Sequence, residues 1–383
     1  MLKKFSATNV GCCPSLSVDL EPLTVFVGPN ASGKSTILRA IRTLALMTRL
    51  PVYSTADREL SLGSIVSLRD LLHDNAKEAV LSVEAESYEG AGSYTIGFGL
   101  EPGTGRIEIS KEIADWKSKS GKQFRYDSAD KKTRLEFDFR GVKISTDVPR
   151  SSSLPFLAHE HWLRDPKWRA ALQGLYDLAS CFSPFHVYRF SPGSIAQPAE
   201  PTAPVSYDGD GLAAELDRLL GADRKVFDAM VGDLKRTFPH INNVNIRTIK
   251  RRGGIALKLL EFELANGRKI PAGLESDGVL LALAYLWLAY QQDNAAFGVE
   301  EPETAGYPTI VKEKVALLKS LTEGGSGRRA VQILATTHSP VFLVALGDTH
   351  HVRVCERGGK VYCPPERSMM DVIHTRLTWA VEG

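Results

Sequence analysis

Nine consecutive residues, Gly28-Pro29-Asn30-Ala31-Ser32-Gly33-Lys34-Ser35-Thr36, fit the pattern G-x-x-x-x-G-K-[ST] without a mismatch. Gly28 and Gly33 let the backbone curl so that successive N–H groups point inward at phosphate oxygens. A helix starting near Gly33 adds its positive end. Lys34 places a compact cation on the β- and γ-phosphates, and the Ser35 hydroxyl is placed to ligate Mg²⁺. The flanks agree with this reading. Leu23-Thr24-Val25-Phe26-Val27 is apolar and β-branched, as a buried strand is, and Thr36 to Leu50 carries Leu38, Ile41, Leu44 and Ala45 at helical spacing. The loop alone does not say which phosphoryl chemistry follows, because kinases, GTPases and ATP-driven switches all use it.

Three further segments carry polar groups at element ends. Phe297-Gly298-Val299 leads into Glu300-Glu301-Pro302-Glu303. An apolar strand that delivers two adjacent carboxylates offers one for Mg²⁺ and one to orient and deprotonate water. Leu334-Ala335-Thr336-Thr337 leads into His338-Ser339-Pro340, where imidazole can hydrogen-bond a terminal phosphate or a lytic water. Leu274-Glu275-Ser276-Asp277-Gly278-Val279 opens a long apolar run. Ser276 with Asp277 reads there as a helix N-cap, and equally as a phosphate-binding helix tip suited to a second copy of the chain.

The elements that must position these groups can be placed coarsely. Residues 1–22 read as a strand pair. Alternation at period two over Ala79–Ala85, Tyr94–Phe98, Arg106–Ile109 and Leu135–Phe139 predicts an antiparallel sheet with one wet face. Val66–Leu72 reads as a short helix or turn. Residues 151–183 turn helical, with Trp162, Trp168, Leu172, Leu175, Tyr176 and Leu178 on the apolar face, before strand Phe185–Phe190. Leu212–Phe238 is helical with a break at Gly221. Strands follow at Val244–Ile249, Ile255–Leu264 and Arg268–Ile270, the last two joined by an Asn266-Gly267 hairpin turn. A buried helix over 279–292 and alternating strands and helices complete the chain. Four contiguous segments are expected: 1–63 with the phosphate loop, 64–150 as a β arm, 151–270 as a helical and hairpin subdomain, and 271–383 with the signature helix, carboxylates and histidine.

Composition narrows the class. The 383 residues carry a formal net charge of +2, so no global field marks a nucleic-acid binder. The local basic clusters, Lys131-Lys132, Arg247 with Lys250-Arg251-Arg252, and Arg328-Arg329, read as solvated turns more readily than as a binding patch. The five cysteines show no C-x-x-C pair and no metal spacing, which fits a reduced, cytoplasmic protein. No signal-peptide core follows Met1-Leu2-Lys3-Lys4. The longest apolar run, Val279–Ala289, is too short to span a bilayer, so no membrane partner is expected.

The order of the four polar segments resembles the ABC-type ATPases of the SMC/RecF/OLD group, particularly compact bacterial "AAA family ATPase" proteins, over nearly the whole chain. Glu300-Glu301-Pro302-Glu303 is similar to their I-E-E-P-E carboxylate segment. Ser276-Asp277-Gly278 resembles their shortened signature, Thr337-His338-Ser339-Pro340 their switch histidine, and Tyr207-Asp208-Gly209-Asp210-Gly211-Leu212 with Leu216 a turn-helix many of them carry. The resemblance implies an α/β phosphate-loop fold with a mixed central sheet, an antiparallel β arm and a helical signature subdomain. It implies ATP and Mg²⁺ held by Lys34, Ser35 and Glu300, with Glu301 as general base and His338 sensing the γ-phosphate. Ser276 and Gly278 would close on the ATP of a partner subunit in a homodimer or higher oligomer. Gln197 is the candidate for the metal-contacting glutamine. The family usually has Asn-Gly-x-His-Pro after the third glutamate, where this chain has Thr304-Ala305-Gly306-Tyr307-Pro308. About 45 residues follow His338, too few for the TOPRIM nuclease of OLD-type proteins. The function implied is an ATP-driven dimeric switch that controls a separate nuclease or toxin, or acts on double-stranded DNA, in anti-phage defence. The alternatives are a RecF-type DNA repair ATPase or a transporter's nucleotide-binding subunit. The long interval from Lys34 to Ser276 disfavours the transporter.

Overall fold

The computed structural model describes residues 1–48, 71–73, 76–100, 107–128, 133–139, 142–148, 166–250, 254–291, 296–304, 308–325 and 328–364. The expectations for Val66–Asp70, Lys131-Lys132, residues 151–165 including Trp162, Arg251-Arg252 and Ala305-Gly306-Tyr307 lie outside the described residues. The chain forms two compact units that interleave in sequence. The first is built from Met1–His186, Ala295–Gly298 and Asp348–Gly383, the second from Val187–Asn294 and Val299–Gly347.

The first unit begins with β1 (Leu2–Val10), β2 (Cys13–Asp19), β3 (Leu23–Val27) and α1 (Lys34–Met47). Then come β4 (Glu78–Glu86), β5 (Gly90–Leu100), β6 (Ile107–Ser118), β7 (Gln123–Asp127), β8 (Thr133–Phe139), β9 (Val142–Val148), α2 (Pro166–Ser180) and the start of β10 (Phe185–Tyr188). The strands of the expected β arm continue the N-terminal strand pair in one eight-stranded sheet, ordered β2-β1-β4-β5-β6-β7-β8-β9. Register follows the apolar pattern: Phe5 pairs with Val18 and Val83, and Ala7 with Leu16 and Leu81, so one face is apolar across three strands. Helix α1 lies on β1 and β4 and buries Ile37, Leu38, Ile41 and Leu44, while α2 lies on β5 to β8. Strand β6 runs further than its apolar residues suggest. Its Glu112 is 2% exposed and accepts a hydrogen bond from Tyr94 Oη at 2.6 Å. That bond gives a partner to a polar group the interior would otherwise reject.

The second unit holds α3 (Pro192–Ile195), α4 (Leu212–Ala222), α5 (Arg224–Thr237), β11 (Ile241–Lys250), β12 (Ala256–Leu264), β13 (Lys269–Pro271) and α6 (Asp277–Tyr290). It continues through the end of β14 (Ala296–Glu300), α7 (Pro308–Glu323), β15 (Gln332–Thr337) and α8 (Pro340–Leu346). Strands β11-β12-β13 form an antiparallel sheet, and β10, β14 and β15 are hydrogen-bonded neighbours in that order. Helix α6 is buried on all sides from Gly278 to Tyr290 and packs against α5 and α7, as its continuous apolar sequence requires. The break between α4 and α5 falls at Asp223, not Gly221. The Asp223 carboxylate accepts from Val226 N–H at 3.1 Å, and that cap decides where the new helix starts. Arg328, expected in a solvated turn, is half-buried with its side chain only 7% exposed: it contacts Asp233 Oδ2 at 3.3 Å and donates to Ser320 O at 2.8 Å. The chain then returns to the first unit with β16 (Val352–Cys355), parallel to β3, and β17 (Val361–Tyr362).

Candidate nucleotide site

The candidate residues fall into two groups, one in each unit. In the first, β3 ends at Val27 and the loop turns into α1 through two left-handed residues, Ala31 (φ 61°) and Gly33 (φ 95°). Such alternation aims successive amides into one concavity. The walls are close. A Cβ on Gly28 would stand 2.2 Å from the Cys355 carbonyl oxygen, and one on Gly33 would stand 2.7 Å from Cys13 Sγ and 3.1 Å from Cys12 Sγ. Glycine is therefore demanded at both positions by space, and at Gly33 by backbone angle too. Lys34 is 9% exposed, and its Nζ donates to Gly28 O at 2.8 Å and Pro29 O at 2.7 Å. The ammonium is thus parked on the loop's own carbonyls, ready to be shared with an anion. Ser32 Oγ is buried without a hydrogen-bond partner. A buried hydroxyl facing such a loop fits a phosphate oxygen. Ser35 and Thr36 are half-buried at the first turn of α1.

In the second unit, Glu300 ends β14 and is 6% exposed. Its Oε2 accepts from Tyr207 Oη at 2.7 Å, whereas its Oε1 is buried without a partner. A carboxylate oxygen left so is chemically suited to a divalent cation, and this is the observation on which Mg²⁺ fits the donor set. The next residue, Glu301, adopts φ 47°, an unusual left-handed conformation for a side-chain-bearing residue. Its N–H donates to Thr336 O at 2.9 Å on β15. Its carboxylate lies between the Arg189 guanidinium, paired through Oε2, and His338 Nδ1, 3.5 Å from Oε1. Glu303 Oε1 accepts from Thr337 Oγ1 at 2.7 Å and from the His338 amide at 3.3 Å, which fixes the strand end that carries the histidine.

Ser276 is exposed and caps α6, its Oγ accepting from Val279 N–H at 3.4 Å. Gly278, two residues on, is buried. Lys314 on α7 is 3% exposed and donates to Thr304 O at 2.9 Å. Burial pushes its ammonium down to about 8, against the opposing pull of Asp277 and Glu303. Gln197 is exposed and donates to Gly193 O at 3.2 Å, so its side chain serves the α3 turn here. The structure therefore brings Glu300, Glu301 and His338 together and places Gln197 and Ser276 on other partners. Two members of the cluster had no site role in the sequence reading. Arg189 follows strand β10 as Glu301 follows β14, and a lone cation at a buried strand's end was the available signal. Tyr207 had none beyond its place in the turn-helix.

A strand, a nest of amides, a buried lysine and a following helix define a phosphate-loop nucleotide-binding protein of mixed α/β class. The chain belongs to the family described as "AAA domain, putative AbiEii toxin, Type IV TA system", which matches residues 23–345. It is similar to the OLD nuclease of Thermus scotoductus, 51% identical over 41 residues, a match that spans 11% of this chain and only 8% of that protein. Among solved structures it resembles the SMC head domain from Thermotoga maritima, with 13% identity, a TM-score of 0.45 and coverage of 95% of this chain and 99% of that one. It also resembles an SmcHead bound to the C-winged helix domain of ScpA, with 16% identity, a TM-score of 0.47 and coverage of 94% and 97%. Among the described residues, no helix is long and apolar enough to cross a membrane.

Proposed function

We propose that the chain binds and hydrolyses Mg-ATP, and that two copies closing on ATP form a switch that controls a separate effector protein, a nuclease or toxin, in anti-phage defence. The observation that carries this reading is the buried, unpartnered oxygen of Glu300 beside a second glutamate and a histidine, in a chain that also has a complete phosphate loop. The loop amides and Lys34 bind the phosphates; Ser35 is the loop's candidate cation ligand, and Glu300 is that of the carboxylate cluster. Mg²⁺ supplies charge neutralisation on the phosphate oxygens when bound. Glu301 accepts the proton of the attacking water, and His338 orients that carboxylate and the leaving phosphate. Ser276 and Gly278 of one copy contact the nucleotide of the other, and Gln197 is the candidate glutamine for the cation. The family description, which reads "putative AbiEii toxin, Type IV TA system", supports a toxin–antitoxin setting for the switch.

The test is Glu301→Gln. We predict unchanged ATP binding, turnover reduced by at least ~100-fold, and accumulation of an ATP-bound dimer. Turnover equal to that of the parent chain would refute the base assignment. Stimulation of the parent by duplex DNA at modest salt would shift the reading from effector control to action on nucleic acid, as a repair ATPase acts.

A further inference from the structure

The end of β10 and the loop from Ser206 to Gly211 are joined by two backbone hydrogen bonds, Arg189 N–H to Tyr207 O at 2.9 Å and Ser191 N–H to Asp208 O at 2.8 Å. The loop is held to one shape. Asp208 accepts from Ser194 Oγ at 2.6 Å and from Ser206 Oγ. Gly209 and Gly211 are left-handed at φ 96° and 90°, and a Cβ on Gly211 would meet Pro204 O at 2.3 Å. This platform presents a phenol to Glu300 and a guanidinium to Glu301. Two glutamates adjacent in sequence thus receive different donors from one rigid source.

The donors differ in what they leave available. A phenol donates one proton, so Tyr207 occupies one Glu300 oxygen and leaves the other, buried and unpartnered, able to accept a cation. A guanidinium keeps its protons and has no acceptor, so Arg189 cannot relay a proton from Glu301. It can only hold the carboxylate. The Arg189 side chain is 48% exposed, so water competes with the pair and release is easy. The left-handed backbone at Glu301 marks a residue held in a conformation it does not favour.

We propose that Arg189 and Tyr207 sort the two glutamates into their tasks: Tyr207 sets Glu300 for the cation, and Arg189 latches Glu301 in a resting position from which it must be freed before it accepts a proton. Both are positioning residues. The proposal rests on the reading of Glu300 as cation ligand and Glu301 as base.

The two halves are tested separately on the full chain. Tyr207→Phe removes one oxygen and keeps the ring. With a non-hydrolysable ATP analogue bound, the protein is titrated with Mn²⁺ and free metal is read by electron paramagnetic resonance. Mn²⁺ binding is expected to weaken roughly 10-fold, with analogue affinity in EDTA unchanged. Unaltered Mn²⁺ binding overturns the role of Tyr207. Arg189→Ala is expected to raise partner-free kcat about 2- to 5-fold at unchanged KM and unchanged analogue affinity, and Arg189→Lys to restore the parent rate. A kcat that falls or stays put in Arg189→Ala overturns the latch. Glu301→Gln separates the levels. If it is as active as the parent, the base assignment and the latch fail together. If it is inactive while Arg189→Ala is unchanged, the latch alone fails.

Discussion

At Gly28 the phosphate loop and the end of β16 approach so closely that one methyl group decides the outcome. A Cβ there would press on the Cys355 carbonyl at 2.2 Å, and a backbone oxygen cannot rotate away as a side chain can. We predict that Gly28→Ala lowers stability by about 1–3 kcal/mol in chemical unfolding and abolishes binding of a fluorescent ATP analogue. Gly232→Ala is the contrast. It lies within α5 with nothing inside 4 Å of the added atom, and should stabilise by roughly 0.5–1 kcal/mol. Equal destabilisation of both would show that packing against β16 is not the cause. Legibility at this scale depended on sequence distance. The loop is nine contiguous residues, so its chemistry could be read from spacing alone. Arg189 meets Glu301 across 112 residues, and nothing local to either one points to the other.

Among the elements, α6, α7 and the segment after β14 meet at one buried cation. Lys314 is surrounded by Asp277, Glu303 and the Thr304 carbonyl, yet burial outweighs them and lowers its value from 10.5 to about 8. The sign follows from proton counting. Between about pH 8 and 10.5 the unfolded chain holds the Lys314 proton and the folded chain has lost it, so stability rises with pH across that window and is flat with respect to this group below it. We predict that Lys314→Met removes this rise. Denaturant midpoints at pH 7.5 and 10 should differ less in the variant than in the parent. An equal difference in the two would place the titration elsewhere. Element existence was legible where apolar periodicity was strong: α6, β3 and the strands around Ala79–Ala85 and Tyr94–Phe98 stand where the pattern put them. Strand β7 and most of β6 were not read. Strand β7 alternates cleanly but is only five residues long, with Phe124 and Tyr126 its two buried side chains. In β6 the buried Glu112 breaks the alternation, and it accepts a hydrogen bond from a hydroxyl on another strand. The α4–α5 break was misplaced because a side-chain cap at Asp223 outweighs a tolerated glycine at Gly221.

For the whole molecule, the chain passes repeatedly between the two units, so a reading in sequence order could name segments but not the bodies they build. What the sequence did carry to this scale is an exposed tip. Leu274 is 70% exposed, Ser276 and Asp277 are exposed beside it, and the helix behind them is buried throughout. A helix N-terminus that presents an exposed leucine and a hydroxyl suits a phosphate-bearing surface on a second copy. Ser276→Asp isolates that role, because aspartate caps a helix as well as serine does while setting a carboxylate against the partner's phosphates. In the Glu301→Gln background with Mg-ATP, sedimentation should show the dimer for Ser276 and a dimer constant at least ~10-fold weaker for Ser276→Asp, with the melting temperature and the ATP affinity of the single chain unchanged. Loss of the melting temperature would mean that the cap and not the contact was disturbed, and Ser276→Asn, an uncharged cap, would then have to dimerise as the parent does. A Ser276→Asp dimer as tight as the parent's would remove the helix tip from the interface, and with it the proposal that each nucleotide is closed by the other copy.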